Sequence, residues 1–435
     1  MTPRPLIILL VGLLALAGIS VAFSAALENA WLLLAGLLAV GAIIDGLFAR
    51  ATRPPEVRRL SPASIALATW TNVRIQVRSS ERSRRMKIRV YDHHPATFVA
   101  HDLPLEFIID PGELAELEYP CRATERGPQQ FAATELRIAS PFGLWWRRYL
   151  IANPSIAQVY PNYSTISKLL AYAVDSQAHL TGVRLSRRRG EGIEFHQLRD
   201  YREGDSLRSV DWKATARMGR LIAREYQDER DQQVVFLLDT GRRMLAKDDE
   251  LAHFDHALNA MLLLSYVAIR QGDAAGVMTA GRERTWLAPR KGADAINGLL
   301  NHVYDVQPQP VEIDYIAAAT ELTAKQRRRS LIIILSNVRE EDSEELRIAT
   351  NLLRRRHLVI LASLRESALD DTLTRDIHGF DDAVVYAATN QYLDARREAH
   401  KLLQAGGVFV EDCLCADLPA AITNRYLAIK RAGLL

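Results

Sequence analysis

Cysteine is scarce: only three of 435 residues, Cys121, Cys413 and Cys415, and the last two flank a single residue. That rules out a disulfide framework, and the one-residue spacing suits neither an unstrained bridge nor a paired metal-ligand set. Reduced thiols are the plainer reading. The chain also lacks a Gly-x-x-x-x-Gly-Lys-Ser/Thr loop, a Gly-x-Ser-x-Gly elbow, a His-Glu-x-x-His helix and a Gly-x-Gly-x-x-Gly turn opening its parallel region. These absences argue against ATP binding, elbow-type hydrolysis, zincin chemistry and dinucleotide binding, and no cofactor is expected. A dominant charge is missing too. With 55 Lys and Arg against 52 Asp and Glu, the net charge is +3, which gives no electrostatic case for nucleic acid.

Long apolar runs are present, but only at the N-terminus. Leu6–Leu27 carries no charge, Glu28 and Asn29 interrupt, and Ala30–Ala49 follows with Asp45 near its end. Each run approaches the roughly 20 residues that cross a bilayer as a helix. Two spans joined by a polar pair predict a transmembrane helical hairpin over residues 1–50, since lipid-exposed backbone must satisfy its hydrogen bonds within each helix. Gly12, Gly18, Gly36 and Gly41 would allow close approach. The competing reading of the first run is a cleaved signal peptide, with Ser24–Ala26 as the cut site. Arg50, Arg53, Arg58 and Arg59 crowd the exit of the second run. The positive-inside bias then predicts everything after residue 50 in the cytoplasm, beneath the inner membrane, with the lipid bilayer as first partner. Asp45 is expected at the interface, the alternative being a buried functional carboxylate.

From residue 51 to 161 the period is two. Val73, Ile75 and Val77 alternate with Arg74, Gln76 and Arg78, and Ile88 and Val90 do the same. Turn signals at Asp110-Pro111-Gly112, Arg126-Gly127-Pro128 and Ser140-Pro141-Phe142-Gly143 separate the runs, which predicts an antiparallel β-sandwich. Trp145 and Trp146 are read as closing the sandwich at a junction, with headgroup contact as the alternative. His93, His94 and His101 read as surface histidines, without the neighbours of a metal site.

Residues 162–435 change character. Short apolar runs at Val234–Leu238, Ala275–Met278, Leu331–Leu335, Leu358–Leu361 and Val408–Val410 alternate with helical stretches at Leu251–Arg270, Ala293–Tyr304, Ile313–Gln326, Ser343–Arg356 and Asn390–Gln404. That order predicts a mostly parallel sheet with helices on both faces, and Trp286 marks an antiparallel edge strand. His253 and His256 lie three apart without a third ligand, and are expected on a helix surface.

The most informative stretch is residues 190–225, dense in charge around the pair Asp211-Trp212. Its Gly190, Gly192, Glu194, Phe195, Leu198, Arg199, Tyr201, Gly204, Asp205, Arg208, Asp211, Trp212, Ala214, Ala216, Arg217, Arg224 and Glu225 resemble the signature of the bacterial domain-of-unknown-function family numbered fifty-eight. Ser140–Trp146 is similar to what members carry before that domain. The resemblance implies an α/β von Willebrand factor A-like (Rossmann-like) domain and work beside a MoxR-type AAA+ ATPase, in assembling or remodelling envelope or metal-containing complexes. Nothing in the stretch looks catalytic. One reading is an Arg–carboxylate network around a buried indole that straps a segment onto its domain. The other is a docking surface with Glu194, Arg199, Tyr201, Asp205, Arg208, Asp211, Trp212, Arg217, Arg224 and Glu225 as candidates. The two are compatible.

In von Willebrand factor A domains the first strand ends Asp-x-Ser-x-Ser and helps hold a divalent cation, which wants several oxygen ligands. Here Asp239 matches, but Gly241 and Arg243 stand at the serine positions, and Ser336-Asn337 stands where a Thr-Asp pair is common. A degenerate site without metal is expected, with Arg243 able to neutralise Asp239 directly. The chain is thus read as a membrane-anchored, non-catalytic adaptor. The rivals are a cation-dependent ligand binder using Asp239 and an envelope-associated hydrolase. Self-association is open.

Overall fold

Alternation decides the first half of the chain and continuous apolar runs the second, and each produces its own layer type. The computed structural model describes residues 1–21, 28–81, 84–162, 194–202, 209–227 and 231–435, without the side chains of 20–21, 194–197 and 224–227. It divides into two compact units, Met1–Tyr160 and Pro161–Leu435.

The first unit opens with two apolar helices, α1 (Pro5–Val21) and α2 (Glu28–Ala51). At 24 residues, α2 is long and apolar enough to cross a membrane, whereas α1 has 17. Glu28 and Asn29 are the first residues of α2 and not a connection between helices; a carboxylate in a first turn suits the helix dipole. The run's residues 22–27, including the cut site considered for a signal peptide, lie outside the described residues. The indole of Trp31 donates to the carbonyl of Leu14 at 2.9 Å, and Gly18 packs under that ring.

Two antiparallel sheets follow. One has the order β1 (Glu56–Leu60), β3 (Thr71–Arg78), β7 (Leu114–Ala123), β5 (Phe98–Ala100). The other runs β9 (Trp145–Tyr160), β8 (Gly127–Ala139), β4 (Met86–Asp92), β6 (Leu105–Ile109), with β2 (Ser64–Ala66) parallel to β9. Val73, Ile75 and Val77 from one sheet and Ile88, Val90, Leu136 and Ile138 from the other are all buried, so the period-two residues form the core of a sandwich. A polar knot lies inside it. Asp92, fully buried, receives the Arg59 guanidinium, the Thr134 hydroxyl at 3.0 Å and the Tyr119 hydroxyl at 2.7 Å. Arg59 therefore faces the core and not the membrane exit, because its charge is needed against Asp92.

Asp45 also departs from expectation. It is fully buried and accepts from the Ser140 hydroxyl, the amide of Phe142 at 2.9 Å and the amide of Leu144 at 3.1 Å. A carboxylate with three donors is satisfied inside the protein, so it has no need of an interface. The indole of Trp145 donates to the Ala42 carbonyl at 2.9 Å, and Arg147 to that of Ala49 at 2.8 Å. The helical segment and the sandwich are joined by this turn and are one body.

In the second unit, β10 (Glu194–Asp200) and β11 (Ile222–Gln227) form an antiparallel pair around α3 (Trp212–Met218). The main sheet has the order β14 (Trp286–Arg290), β13 (Ala274–Ala280), β12 (Gln233–Asp239), β15 (Leu331–Ser336), β16 (Leu358–Arg365), β17 (Phe409–Leu414). Its neighbours are parallel except β14, which runs antiparallel at the edge. Gly276 lets β14 close in: a Cβ there would meet the Pro289 nitrogen at 2.6 Å. Val234, Phe236 and Leu238 point into one core, with α4 (His253–Arg270), α5 (Ala293–Val303) and α10 (Leu418–Arg431). Val235 and Leu237 point into the other, with α6 (Tyr315–Lys325), α7 (Ser343–Arg354) and α9 (Phe380–Ala405). Before α9 comes the short α8 (Ser367–Thr374).

Candidate functional site

The segment from residue 198 to 223 builds a small module. Asp211 is the N-cap of α3: its carboxylate accepts from the amides of Lys213 at 3.0 Å and Ala214 at 2.9 Å, satisfying donors that have no partner within the helix. Gly219 closes the helix in the left-handed region, φ 64°, a conformation that favours glycine. The amide of Ile222 then donates to the Thr215 hydroxyl at 3.0 Å, and the amide of Asp211 to the Ile222 carbonyl at 2.8 Å. Asp211 thus has an architectural part.

Trp212 does not sit in a buried network. Capping turns the first helical residue outward, and the indole is 65 % exposed, with Met218 and Leu221 also exposed beside Lys213, Arg217 and Arg220. Arg199 donates to the Asp200 carbonyl at 3.0 Å, Arg220 pairs with the Asp200 carboxylate at 3.2 Å, and Tyr201 is half-buried. Glu194 lies on β10, and Arg224 and Glu225 on β11, where Leu198 faces Arg224 and Gln197 faces Glu225; their side chains are outside the description. Asp205 and Arg208, the Gly190 and Gly192 turn and the basic loop at residues 184–189 lie outside the described residues.

The second centre is Asp239, at the carboxyl end of β12. It is buried, and its oxygens accept from the Gly241 amide at 2.7 Å, the Tyr315 hydroxyl at 2.8 Å and the Ser336 hydroxyl at 2.5 Å. Burial pushes this carboxyl above its usual range; the bonds from Ser336, Gly241 and Tyr315 and the charge of Arg243 pull the other way without cancelling it. Burial first, and then the facing carboxylate, raise the Tyr315 phenol as well. Arg243 pairs with Asp342 and, at 3.2 Å, with Glu341, so it does not neutralise Asp239 by direct contact. The expectation of that pair gives way because two surface carboxylates lie nearer its reach. Gly241 cannot be a serine here, since a Cβ would meet Ile313 at 2.7 Å and the Val311 carbonyl at 2.9 Å. Asn337 turns elsewhere, donating to Glu366 at 2.8 Å and accepting from Arg396 at 3.1 Å. Within the protein the Asp239 carboxylate is engaged by three donors, and Asn337 does not face it. Among the described residues no three His, Cys, Asp or Glu side chains are grouped to hold a metal.

Arg396 is the residue that sequence reasoning missed. Only 1 % exposed, it reaches Asp412 at 2.9 Å, Ser363 at 2.6 Å and the Leu364 carbonyl at 2.7 Å, tying α9 to the ends of β16 and β17. Its spacing from Leu393, His400 and Leu403 on one helix face was the available signal. His253 is fully buried beside this network and not on a helix surface, because α4 is apolar nearly all round and sits over the sheet. Burial lowers the pKa of both His253 and His400, which favours neutral rings. Burial likewise pushes Cys413 up to about 12 and raises Cys121 and Cys415, so none is poised as a thiolate.

A cavity of about 490 Å³ lies where β12 and β13 end, lined in part by Thr240, Thr279, Thr285 and His302. His302 stands 3.1 Å from the Thr285 hydroxyl, yet Thr279 and Thr285 are spent closing the β13–β14 turn. The hydroxyl–imidazole pair has no hydrogen-bonded carboxylate orienting the ring, unlike a triad.

Comparison with known proteins bears on the module and the sheet together. Uncharacterized protein YeaD of Bacillus subtilis (strain 168) is 22 % identical over 193 residues, 43 % of this chain, and the match spans 44 % of that relative's length. Among solved structures, an aerotolerance-related membrane protein from Bacteroides fragilis is 16 % identical, covering 30 % of this chain and 67 % of its own, at a TM-score of 0.24. A Salmonella alpha-2-macroglobulin (16 % identical, 25 % and 7 % covered, TM-score 0.20) and a FixG-related protein from Vibrio parahaemolyticus (8 %, 25 % and 98 %, TM-score 0.18) are also similar. At these scores none bears on function. The stretch from residue 197 to 400, holding most of the module and the sheet through β16, matches the family described as Protein of unknown function DUF58.

Proposed function

We propose that this protein is a membrane-anchored, non-catalytic docking platform whose second unit is von Willebrand factor A-like and receives a MoxR-type AAA+ ATPase at the face around Trp212. The observation that carries the reading is the exposed indole, 65 % accessible, beside exposed Met218 and Leu221. Exposed aromatic and Arg side chains together are what interface anchors look like before a partner arrives. The strand order, with Asp239 ending a central strand, supports the domain type, and the ATPase follows from the family resemblance.

Two spans and a cytoplasmic bulk are part of the same reading. Thr2–Pro3 pairs with Trp145–Trp146, and Asp45 of α2 binds the turn just before them, so α1 begins where α2 ends, as in a hairpin. Arg50, Arg53 and Arg58 remain as the basic exit. The cation-dependent alternative is disfavoured by the three donors on Asp239.

The test is co-purification from detergent with the ATPase. Trp212→Ala is expected to weaken capture at least about tenfold, since an anchor contributes roughly 2 kcal/mol or more, while the thermal melt stays within about 1 °C for an exposed side chain. Unchanged capture, or a collapsed melt, would contradict it.

A further inference from the structure

The outer face of α9 is not used by the reading above. Its buried residues Thr389, Leu393, Arg396, Ala399, His400 and Leu403 all fall on one side. Phe380, Ala383, Val384, Ala387 and Ala388 follow the i, i+3, i+4, i+7, i+8 spacing of an amphipathic helix. At about 100° per residue, that stripe points to the side opposite the core-facing one. A stripe with this spacing normally lies on a core. Here residues 374–388 are all exposed, Phe380 at 83 %. Val385, 53 % exposed, lies on the other side of the helix, and Ile377, 51 % exposed, just precedes it, so these turns stand clear of the core all round. Farther along, the same face carries Gln391, Asp394 and Glu398, the character of a helix side facing water. The continuous apolar surface is therefore in the first turns, with Leu402 a single exposed apolar residue farther along.

The first turns are acidic: Asp371, Asp376, Asp381 and Asp382 are exposed in and just before them, against Arg375. An anionic bilayer surface would repel such turns. The complement exists on the same chain. Trp212, Met218 and Leu221 are exposed together with Lys213, Arg217 and Arg220. We infer that the acidic apolar stripe of one copy seats on the basic apolar face around Trp212 of a second copy, joining chains head to tail. Such a contact is heterologous, so it generates a ring or an open row and not an isolated pair. Copies held on one bilayer meet at high effective concentration, which lets a small patch suffice. This inference rests on the membrane-anchored reading for that proximity. It also adds a regulation, because assembly covers the face proposed for the ATPase.

The experiment uses the full chain in nanodiscs holding several copies, with no ATPase present, so a failure of ATPase docking leaves it untouched. Val384→Cys and Lys213→Cys are made in separate preparations, mixed, and treated with a short thiol cross-linker; the three native cysteines are buried or half-buried. Cross-linked dimers are expected from the mixture and not from either preparation alone. Asp381→Lys with Asp382→Lys is expected to cut the yield at least roughly tenfold, since like charges across an interface are strongly unfavourable. Lys213→Glu with Arg217→Glu in the other copy, its reactive thiol moved to Met218→Cys, should restore it. Circular dichroism of each variant excludes unfolding as the cause of a low yield. Equal cross-linking of Val384→Cys with itself, no dimer from the mixture, or a yield indifferent to charge reversal would overturn the inference.

Discussion

Asp239 is a carboxyl that burial makes harder to ionise in the folded chain than in the unfolded one. Burial raises its pKa above the ordinary 3.8 despite the donors of Ser336, Gly241 and Tyr315. Relative to the unfolded chain, the folded state favours the protonated form. Its contribution to stability is fully present below about 3.8 and is lost as pH rises through the raised folded value. Asp239→Asn, neutral at every pH, has no such loss. The melting temperature of the natural chain relative to Asp239→Asn should therefore fall between pH 4 and pH 8; a gap that widens with pH would contradict the assignment. Gly241 and Asn337 show what was legible here. Their departure from a ligand pattern could be read from the chain, and the structure adds why, since no Cβ fits at Gly241 and the Asn337 amide is held by Glu366 and Arg396. The inward position of Arg396 could be read from its spacing, but its partners Ser363 and Asp412 could not, because they lie on other strands.

At the scale of elements, short apolar runs marked the strands of the main sheet, whereas alternation marked only the longer sandwich strands and the shorter Glu56–Leu60, Ser64–Ala66, Phe98–Ala100 and Leu105–Ile109 escaped it. The misses have physical causes. Helix α9 begins ten residues before the expected Asn390, because its first two turns carry their apolar stripe on the side facing away from the core, where no second periodicity links it to the buried half. Trp212 lies in a helix of 7 residues, too short for periodicity to tell inside from outside. The tie between α2 and the turn at Ser140–Leu144 spans up to 99 residues of sequence, so Asp45 looked interfacial. That tie predicts a cost: Asp45→Ala leaves the buried amide of Leu144 and the buried hydroxyl of Ser140 without their acceptor, at about 1–3 kcal/mol each. The detergent-solubilised chain should melt several degrees lower, with Asp45→Asn in between. Equal melts for all three would show that the turn does not depend on the carboxylate.

At the scale of the whole molecule, chemistry and charge are distributed unevenly. Buried polar groups within the two units form structural knots around Asp92, Asp239 and Arg396, whereas exposed aromatic and aliphatic side chains outside the apolar helices include those near Trp212 and Phe380 along with Phe142, Leu150 and Ile156 of the first unit. On the proposed reading the protein acts through what it holds, and α2 is long and apolar enough to cross a bilayer. The most direct test is hydrogen–deuterium exchange on the full chain in detergent, with and without the ATPase and with and without magnesium. The account predicts new amide protection over residues 209–227 on adding the ATPase, independent of magnesium, and none at the strand ends around Asp239 and Ser336. Protection centred on Asp239 that requires the cation, with residues 209–227 unchanged, would contradict it.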